Sequence, residues 1–327
     1  MSGRKKVRPT ARKPSLPVRV WRWYWERRRR RVKKPPWAVR LLRRRYALSA
    51  RTERILGWAE MIVELGVLFW LIITFVTVRM IVPTGSMIPA IIPGDSFFVD
   101  ILSYHFRRPT PGSIVVFWFL EELRITGVRP GTPAAEAGLQ AGDYVVAPGR
   151  WDIGVAGEPV PSLRTLSRRI RAAQGGSLEF TVLRNLTDRE AQIVTLWVNV
   201  PAGAEDLGDL GASYEARSSR YVKRLVAVGG QTVQIGPGGK ILIDGEPSPI
   251  FARMTYARTG PGMRYGVEPT RVPQGHFFVL GDNTLNSYDS RYWGFAPEED
   301  FIGCPFIRVW PFSRFGPMNG YFRSSLF

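Results

Sequence analysis

Between Ile55 and Val82 the chain is predominantly apolar, and Glu60, Glu64 and Arg79 are its only charged residues there. A helix crossing a hydrocarbon core of about 30 Å needs about 20 such residues. The run therefore predicts a membrane-spanning helix from Trp58 to Val78, within a transmembrane segment bounded as residues 55–79. Glu60 and Glu64 lie one turn apart near the expected cytoplasmic end, where a carboxylate costs less than at mid-bilayer and can pair with basic neighbours. A cleaved signal peptide fits less well, because the run starts far from the N-terminus, is too long and ends without a small-residue cleavage site. The expectation is a retained anchor, N-terminus cytoplasmic and residues from 80 onward outside.

The formal net charge is +19 over 327 residues, yet residues 1–54 hold 21 of the 46 Lys and Arg against only Glu26 and Glu53. The remainder is neutral, so the charge describes a tail and not a fold. Arg27 to Arg31 and the stretch Trp21-Arg22-Trp23-Tyr24-Trp25 have the composition of a nucleic-acid contact. Directly before a spanning segment, they fit positive-inside orientation and anionic headgroups better. A lipid bilayer is the expected partner and nucleic acid is not; residues 1–20 read as a solvated charge run. Cys304 is the only cysteine, which excludes an internal disulfide, and with only His105 and His276 no metal site is expected. No cofactor is expected either.

Past the apolar run comes Pro83-Thr84-Gly85-Ser86-Met87-Ile88-Pro89, then Pro93-Gly94-Asp95. In isolation this is a Pro/Gly turn with Ser86 as a loop cap; beside the features below, Ser86 is the candidate nucleophile. Residues 96–102 and 111–119 follow Pro-Gly turn signals and read as buried strands. From about residue 121 to 200 the texture changes. Ile125 to Leu139 and Gln140 to Val146 give a strand, a Pro-started short helix and a Gly-Asp turn into another strand; Leu163 to Ala173 has helical spacing with basic residues outward. Strands at 177–183 and 193–200 complete the module, and Pro201 to Ala212 reads as a Gly/Ala/acidic linker.

Tyr221-Val222-Lys223-Arg224-Leu225 is strand-like. On one strand Tyr221 and Lys223 face one way and Val222 and Arg224 the other, so one cation can be buried while its neighbour is solvated. Gly281-Asp282-Asn283-Thr284-Leu285-Asn286-Ser287-Tyr288-Asp289-Ser290-Arg291 reads by itself as a polar loop held by an Asp289–Arg291 pair. Gly239 to Gly275, rich in Gly and Pro, reads as ribbon and loops. His276 reads as a strand start and His105 as a surface position, and no Gly-Asp-Ser-Gly-Gly motif supports a histidine triad.

Thr-Gly-Ser-Met-x-Pro, Pro-Gly-Asp, Gly-Ser-Ile-Val-Val-Phe at 112–117, Lys223-Arg224 and the 281–294 motif together resemble bacterial type I signal peptidases, over about residues 60–120 and 217–310. Ser113 stands where that pattern has Asp, and Val226 to Gln231 diverges from the end of the lysine motif. Pro133-Ala-Ala-Glu-Ala-Gly-Leu-x-x-Gly-Asp143 resembles a PDZ domain of bacterial periplasmic proteases, although Glu122-Leu123-Arg124-Ile125 lacks the glycines of a carboxylate-receiving loop.

The resemblance implies a mainly β fold. A catalytic domain of residues 80–120 and 213–327 would be interrupted by an α+β PDZ-like insert at 121–200, with a linker at 201–212, and preceded by one transmembrane helix. It implies a serine endopeptidase that removes signal peptides from exported preproteins on the outer face of the cytoplasmic membrane. In these terms Ser86 is the nucleophile and Lys223 the general base, which must be neutral although an exposed lysine has pKa of about 10.4. The Ser86 N–H and the Thr84 hydroxyl hold the oxyanion, Ser287 orients the Lys223 amine, and Asp289 and Arg291 brace the loop. Met80, Val82, Ile91, Tyr221 and Val222 line small-residue pockets or are ordinary core, and Met87 lies near the bilayer or substrate. The insert takes a peptide by strand addition, is purely structural, or docks to a partner protein. Two alternatives stand beside this reading: a non-catalytic PDZ-bearing membrane scaffold, and a dedicated protease of one pilin or conjugation substrate.

Overall fold

The computed structural model describes residues 49–318 apart from 76, 148–149, 151, 186–190 and 259, with backbone alone for 71–75. The basic tail up to residue 48 lies outside the described residues. Helix α1 runs Ala50–Phe75, its start capped by Ser49 Oγ, which accepts from the Thr52 N–H. The apolar segment is thus shorter than expected at its far end. Thr77–Ile81 is not helix but strand β1, because from Thr77 on the backbone bonds to the next strand, in the register Thr77↔Asp100 to Ile81↔Ser96. The β-branched Thr77, Val78 and Ile81 suit that pleated surface. Among the described residues no helix is long and apolar enough to cross a membrane. Trp58, Ile62, Val63, Leu65 and Phe69 of α1 are each more than half exposed.

From Thr74 onward the chain forms a second unit, and it is mainly β. Its strands are β2 (Ser96–Asp100), β3 (Ile114–Val128), β4 (Tyr144–Val146), β5 (Gly154–Val155), β6 (Ser177–Arg184), β7 (Gln192–Asn199) and β8 (Ala212–Val228). After these come β9 (Thr232–Ile235), β10 (Ile241–Ile243), β11 (Glu246–Pro247), β12 (Thr270–Arg271), β13 (His276–Leu280), β14 (Ala296–Pro297), β15 (Phe301–Trp310) and β16 (Gly316–Pro317). Helices α2 (Pro133–Glu136), α3 (Leu163–Ala172) and α4 (Ser290–Trp293) are short. The large sheet runs β1-β2-β15-β3-β4-β6-β5, with β8 between β3 and β13. A smaller sheet, β11-β10-β9-β12, covers one end.

The β3–β8 ladder governs the domain plan. It pairs from Ile114↔Arg224 to Val128↔Ala212, with bulges between Leu120 and Glu122 and between Ile125 and Gly127. Its inner half lies in the catalytic sheet, where Ile114 to Phe117 are buried, and its outer half forms the insert. Boundaries at 120 and 213 therefore cut through one hydrogen-bonded ribbon and do not fall in loops. The expected linker is also corrected. Ala204, Leu207, Leu210 and Ala212 are buried in the insert core with Leu123, Ile125, Leu166, Ile170 and Phe180, so residues 201–212 close the module. Their apolar positions outweigh the Gly and acidic residues between them, which turn outward.

Local chemistry fixes the insert. Ser162 caps α3 by accepting from the Thr165 N–H. Asp143, fully buried, takes both Arg184 nitrogens at 2.7 Å and the Gln140 N–H at 2.9 Å. The outward arginines of α3 meet the catalytic side: Arg168 pairs with Glu299 at 2.6 Å and Arg164 lies 3.7 Å from Asp300. Arg168 also contacts His276 Nε2 at 3.1 Å. The stretch Glu122–Ile125 has both edges occupied, by β8 and by β4 (Leu123↔Ala216 and Leu123↔Val146).

Candidate active site

Ser86 sits in a loop pinched at its base, where the Val82 N–H donates to Asp95 O and the Gly94 N–H to Val82 O. Met87 and Ile91, both fully buried, pin the loop from below in one cluster with Met80, Val82, Phe97, Val99, Ile114, Val116 and Val222. Met87 is therefore part of the buried core. Four of the five expected pocket residues, Met80, Val82, Ile91 and Val222, belong to this closed cluster. Alternation on β1 and β8 turns Met80 and Val222 toward this layer, while Val82 and Ile91 reach it from the loop. Tyr221 is different: half-buried, it stacks on Phe119 with ring centroids 4.5 Å apart. Its ring centroid lies 5.3 Å from Lys223 Nζ.

Lys223 reaches the loop from β8 and donates from Nζ to Ser86 Oγ at 2.8 Å. The side chain is buried, and among the described residues Ser86 Oγ is the only hydrogen-bond partner of Nζ. An ammonium wants three acceptors; with one, the neutral amine is favoured. Burial pushes the Lys223 amine down to about 8, Asp289 and Asp282 pull it partly back, and Arg291 adds to the lowering. With the amine neutral, the same contact can reverse, the Ser86 hydroxyl donating to the nitrogen lone pair.

Arg224, expected in solvent, is instead largely buried. It forms a two-pronged pair with Asp282, its Nε 2.6 Å from Oδ1, and donates to Gly112 O at 2.6 Å. The cation on the far face is neutralised by a carboxylate from the 281–294 loop and not by water. In that loop Asp289 and Arg291 are fully buried and pair at 2.8 and 2.9 Å. Asp289 also accepts from the Gly281 N–H, and Arg291 donates to Thr284 O and Ser287 O. One ion pair thereby holds three backbone points of the loop.

The expected bond from Ser287 to the Lys223 amine is absent. Ser287 Oγ is buried and has no hydrogen-bond partner among the described residues. It is packed against Gly281, which is the reason: a Cβ at Gly281 would collide with Ser287 Oγ and come 2.5 Å from Ser86 O. Thr84 is exposed, and neither its hydroxyl nor the Ser86 N–H has a hydrogen-bond partner among the described residues. Cys304 is buried and its thiol is pushed up to about 12 by that burial, far from a reactive thiolate.

Residues 55–146 and 182–310, more than half of the chain, match the family described as signal peptidase, peptidase S26. The chain belongs to that family. Residues 124–184 match the PDZ domain family, so the signal-peptidase fold is interrupted by a PDZ domain. "Probable signal peptidase I-1" of Synechocystis is 26% identical over 76% of this chain and 78% of its own length. "Signal peptidase I" of Mycobacterium tuberculosis is 27% identical over 82% of this chain and 76% of its own length. "Signal peptidase I" of Leptolyngbya laminosa is 39% identical over 30% of this chain, which spans 45% of that relative.

Asn283 is the residue that reading the sequence passed over. It stands in the quoted Gly-Asp-Asn motif without a role, yet it touches the backbone on both sides of the Gly85–Ser86 bond: its N–H donates to Ser86 O and its side-chain amide to Gly85 O, both at 3.0 Å. Its position directly after Asp282, the partner of Arg224, is the signal that could have found it.

Proposed function

We propose that this signal-peptidase-family chain is a serine endopeptidase that removes signal peptides from exported preproteins by a Ser86/Lys223 dyad. The observation that carries this is the 2.8 Å contact between a buried lysine amine and a serine hydroxyl. Ser86 Oγ attacks the scissile carbonyl while its proton passes to the Lys223 amine. The oxyanion is held by the Ser86 N–H and the Thr84 hydroxyl. Collapse breaks the C–N bond, and the Lys223 ammonium returns its proton to the leaving amine. Lys223, neutral again, then takes a proton from the water that hydrolyses the acyl ester and restores Ser86. The Asp289–Arg291 brace keeps the loop rigid through both steps.

The enzyme works at a membrane. Near Ser86 the apolar side chains of Ile81, Ile88, Trp310, Phe312 and Phe315 are exposed, Phe312 at 75%. Arg314 ties the last three to the nucleophile loop through Asp95 and Ala90 O. An exposed apolar rim of this kind suits a bilayer surface. The apolar surface of α1 is embedded, the basic tail stays cytoplasmic and the catalytic domain lies outside. The PDZ domain takes an extended peptide. Between Ser213 and Arg220, β8 pairs on one edge with β3 and leaves the other exposed among the described residues, an edge suited to strand addition.

Cleavage of a preprotein panel in detergent by the full-length wild type, Ser86→Ala and Lys223→Ala tests the dyad. Both variants are expected to be inactive while remaining folded; retained cleavage in either removes it. A panel response confined to one substrate favours the dedicated protease.

A further inference from the structure

The Gly85–Ser86 peptide bond is held from behind. Asn283 donates from Nδ2 to Gly85 O at 3.0 Å and from its own N–H to Ser86 O at 3.0 Å, and the Ile88 N–H of the same turn also donates to Gly85 O, at 3.2 Å. The side-chain donor must be the amide nitrogen, since Gly85 O can only accept. In a trans peptide unit the C=O and N–H point to opposite sides of the plane axis, and this bond is not among the cis bonds of the chain. Fixing Gly85 O toward Asn283 therefore sends the Ser86 N–H the opposite way. That N–H has no partner among the described residues.

We propose that Asn283 is the positioning residue that aims the Ser86 N–H at the oxyanion, an inference that rests on the dyad reading above. The device is registered to the general base. Lys223 and Arg224 are neighbours on β8; Arg224 grips Asp282, whose neighbour Asn283 grips Gly85, whose neighbour is Ser86. Three pairs of adjacent residues thus couple the strand carrying the amine to the peptide plane carrying the oxyanion donor. Without the Asn283 side chain only the longer Ile88 N–H bond holds Gly85 O, and rotation of the plane within that turn would leave Oγ beside Nζ and misaim a donor needed only once charge develops. Catalysis then suffers without a loss of substrate binding.

The test uses full-length enzyme in detergent, with Asn283→Ala and the isosteric Asn283→Asp, which keeps the shape and loses the donor. Asn286→Ala, in the same loop and exposed, is the control and is expected to behave as wild type. For both Asn283 variants kcat should fall about 10²–10³-fold, with KM changed less than about threefold. In Asn283→Ala the acid limb of the pH profile should stay in place, whereas the carboxylate added by Asn283→Asp moves it to higher pH, as Asp282 and Asp289 do. A peptide aldehyde adds Ser86 Oγ across its C=O and puts the resulting oxygen in the same place, so its affinity should fall in parallel with kcat/KM. The corresponding peptide alcohol, which cannot form that adduct, should bind unchanged. An unchanged kcat, a kcat loss without loss of aldehyde affinity, a displaced acid limb in Asn283→Ala, or activity that merely tracks the folded fraction overturns the role. Failure of the dyad itself would appear separately, as cleavage by Ser86→Ala.

Discussion

Lys223 Nζ lies 2.8 Å from Ser86 Oγ although 137 residues separate them in the chain. The contact exists because β8 carries the lysine along β3 into the catalytic sheet, while Met87 and Ile91 anchor the serine loop to the layer beneath Val222. Its consequence is electrical. The amine is buried with one hydrogen-bond acceptor, and burial brings it to about 8, close to a working pH. Two carboxylates oppose that lowering, but Arg224 and Arg291 occupy both in ion pairs. This is how the site keeps aspartates close without making the lysine permanently charged.

The pH profile follows from the sign of that shift. The ammonium cannot accept a proton, so kcat/KM should rise about tenfold per pH unit below about 8 and level off above it. Initial rates on one preprotein across pH 6 to 10 check this. A profile already flat from pH 6 would mean that another group, or a lysine with a much lower pKa, does the work.

The same group makes stability depend on pH. Its folded pKa, about 8, lies below the unfolded 10.5, so between those values the unfolded chain holds more protons and stability rises with pH. Below pH 8 the protein carries the full penalty of the buried amine, on the order of 3 kcal/mol. Lys223→Met should therefore be more stable than wild type at pH 7, by up to that amount, with the gap closing toward pH 10.5. Urea melts of both proteins at pH 7 and pH 10 measure it; a gap independent of pH would count against the depressed amine.

Gly281 has no room for a side chain. A Cβ there would lie 2.5 Å from Ser86 O and strike Ser287 Oγ, and the first of these is backbone that cannot rotate away. Gly281→Ala should cost about 1–3 kcal/mol of stability and lower kcat by about 100-fold or more through displacement of the nucleophile. Thermal melting and turnover on one preparation report both. Near-wild-type turnover would show that the two loops separate freely.

Ser287→Ala distinguishes the role implied by family resemblance from the observed geometry. A buried hydroxyl without a partner is costly, and removing it should leave stability unchanged or raised by up to about 1 kcal/mol. The acid limb of the pH profile should stay in place, since Ser287 does not bond the amine. A limb displaced by about one pH unit would return Ser287 to the orientation of Lys223.

Much of this was readable from residues in order. The Thr84-Gly85-Ser86 turn, the Lys223-Arg224 pair on a strand and the 281–291 motif marked segments that the fold brings together, because turns, alternation and short motifs are local. The Pro133–Asp143 signature marked the insert for the same reason. Helix α1 was legible in existence but not at its end, since pairing of Thr77 with Asp100 outcompetes continued helix and involves a strand about twenty residues away. The linker reading of 201–212 failed because composition does not reveal that Leu207 and Leu210 close a core built from distant strands and helices, β3, α3 and β6 among them.

What only the folded chain decided was which polar group satisfies which. That Arg224 is buried against Asp282, that Ser287 leaves Lys223 alone, and that Asn283 bonds Gly85 O and Ser86 O are choices among donors and acceptors brought together by tertiary packing. Residue type fixes how many bonds such a group can make; where its partner stands is set by distances that no linear spacing encodes.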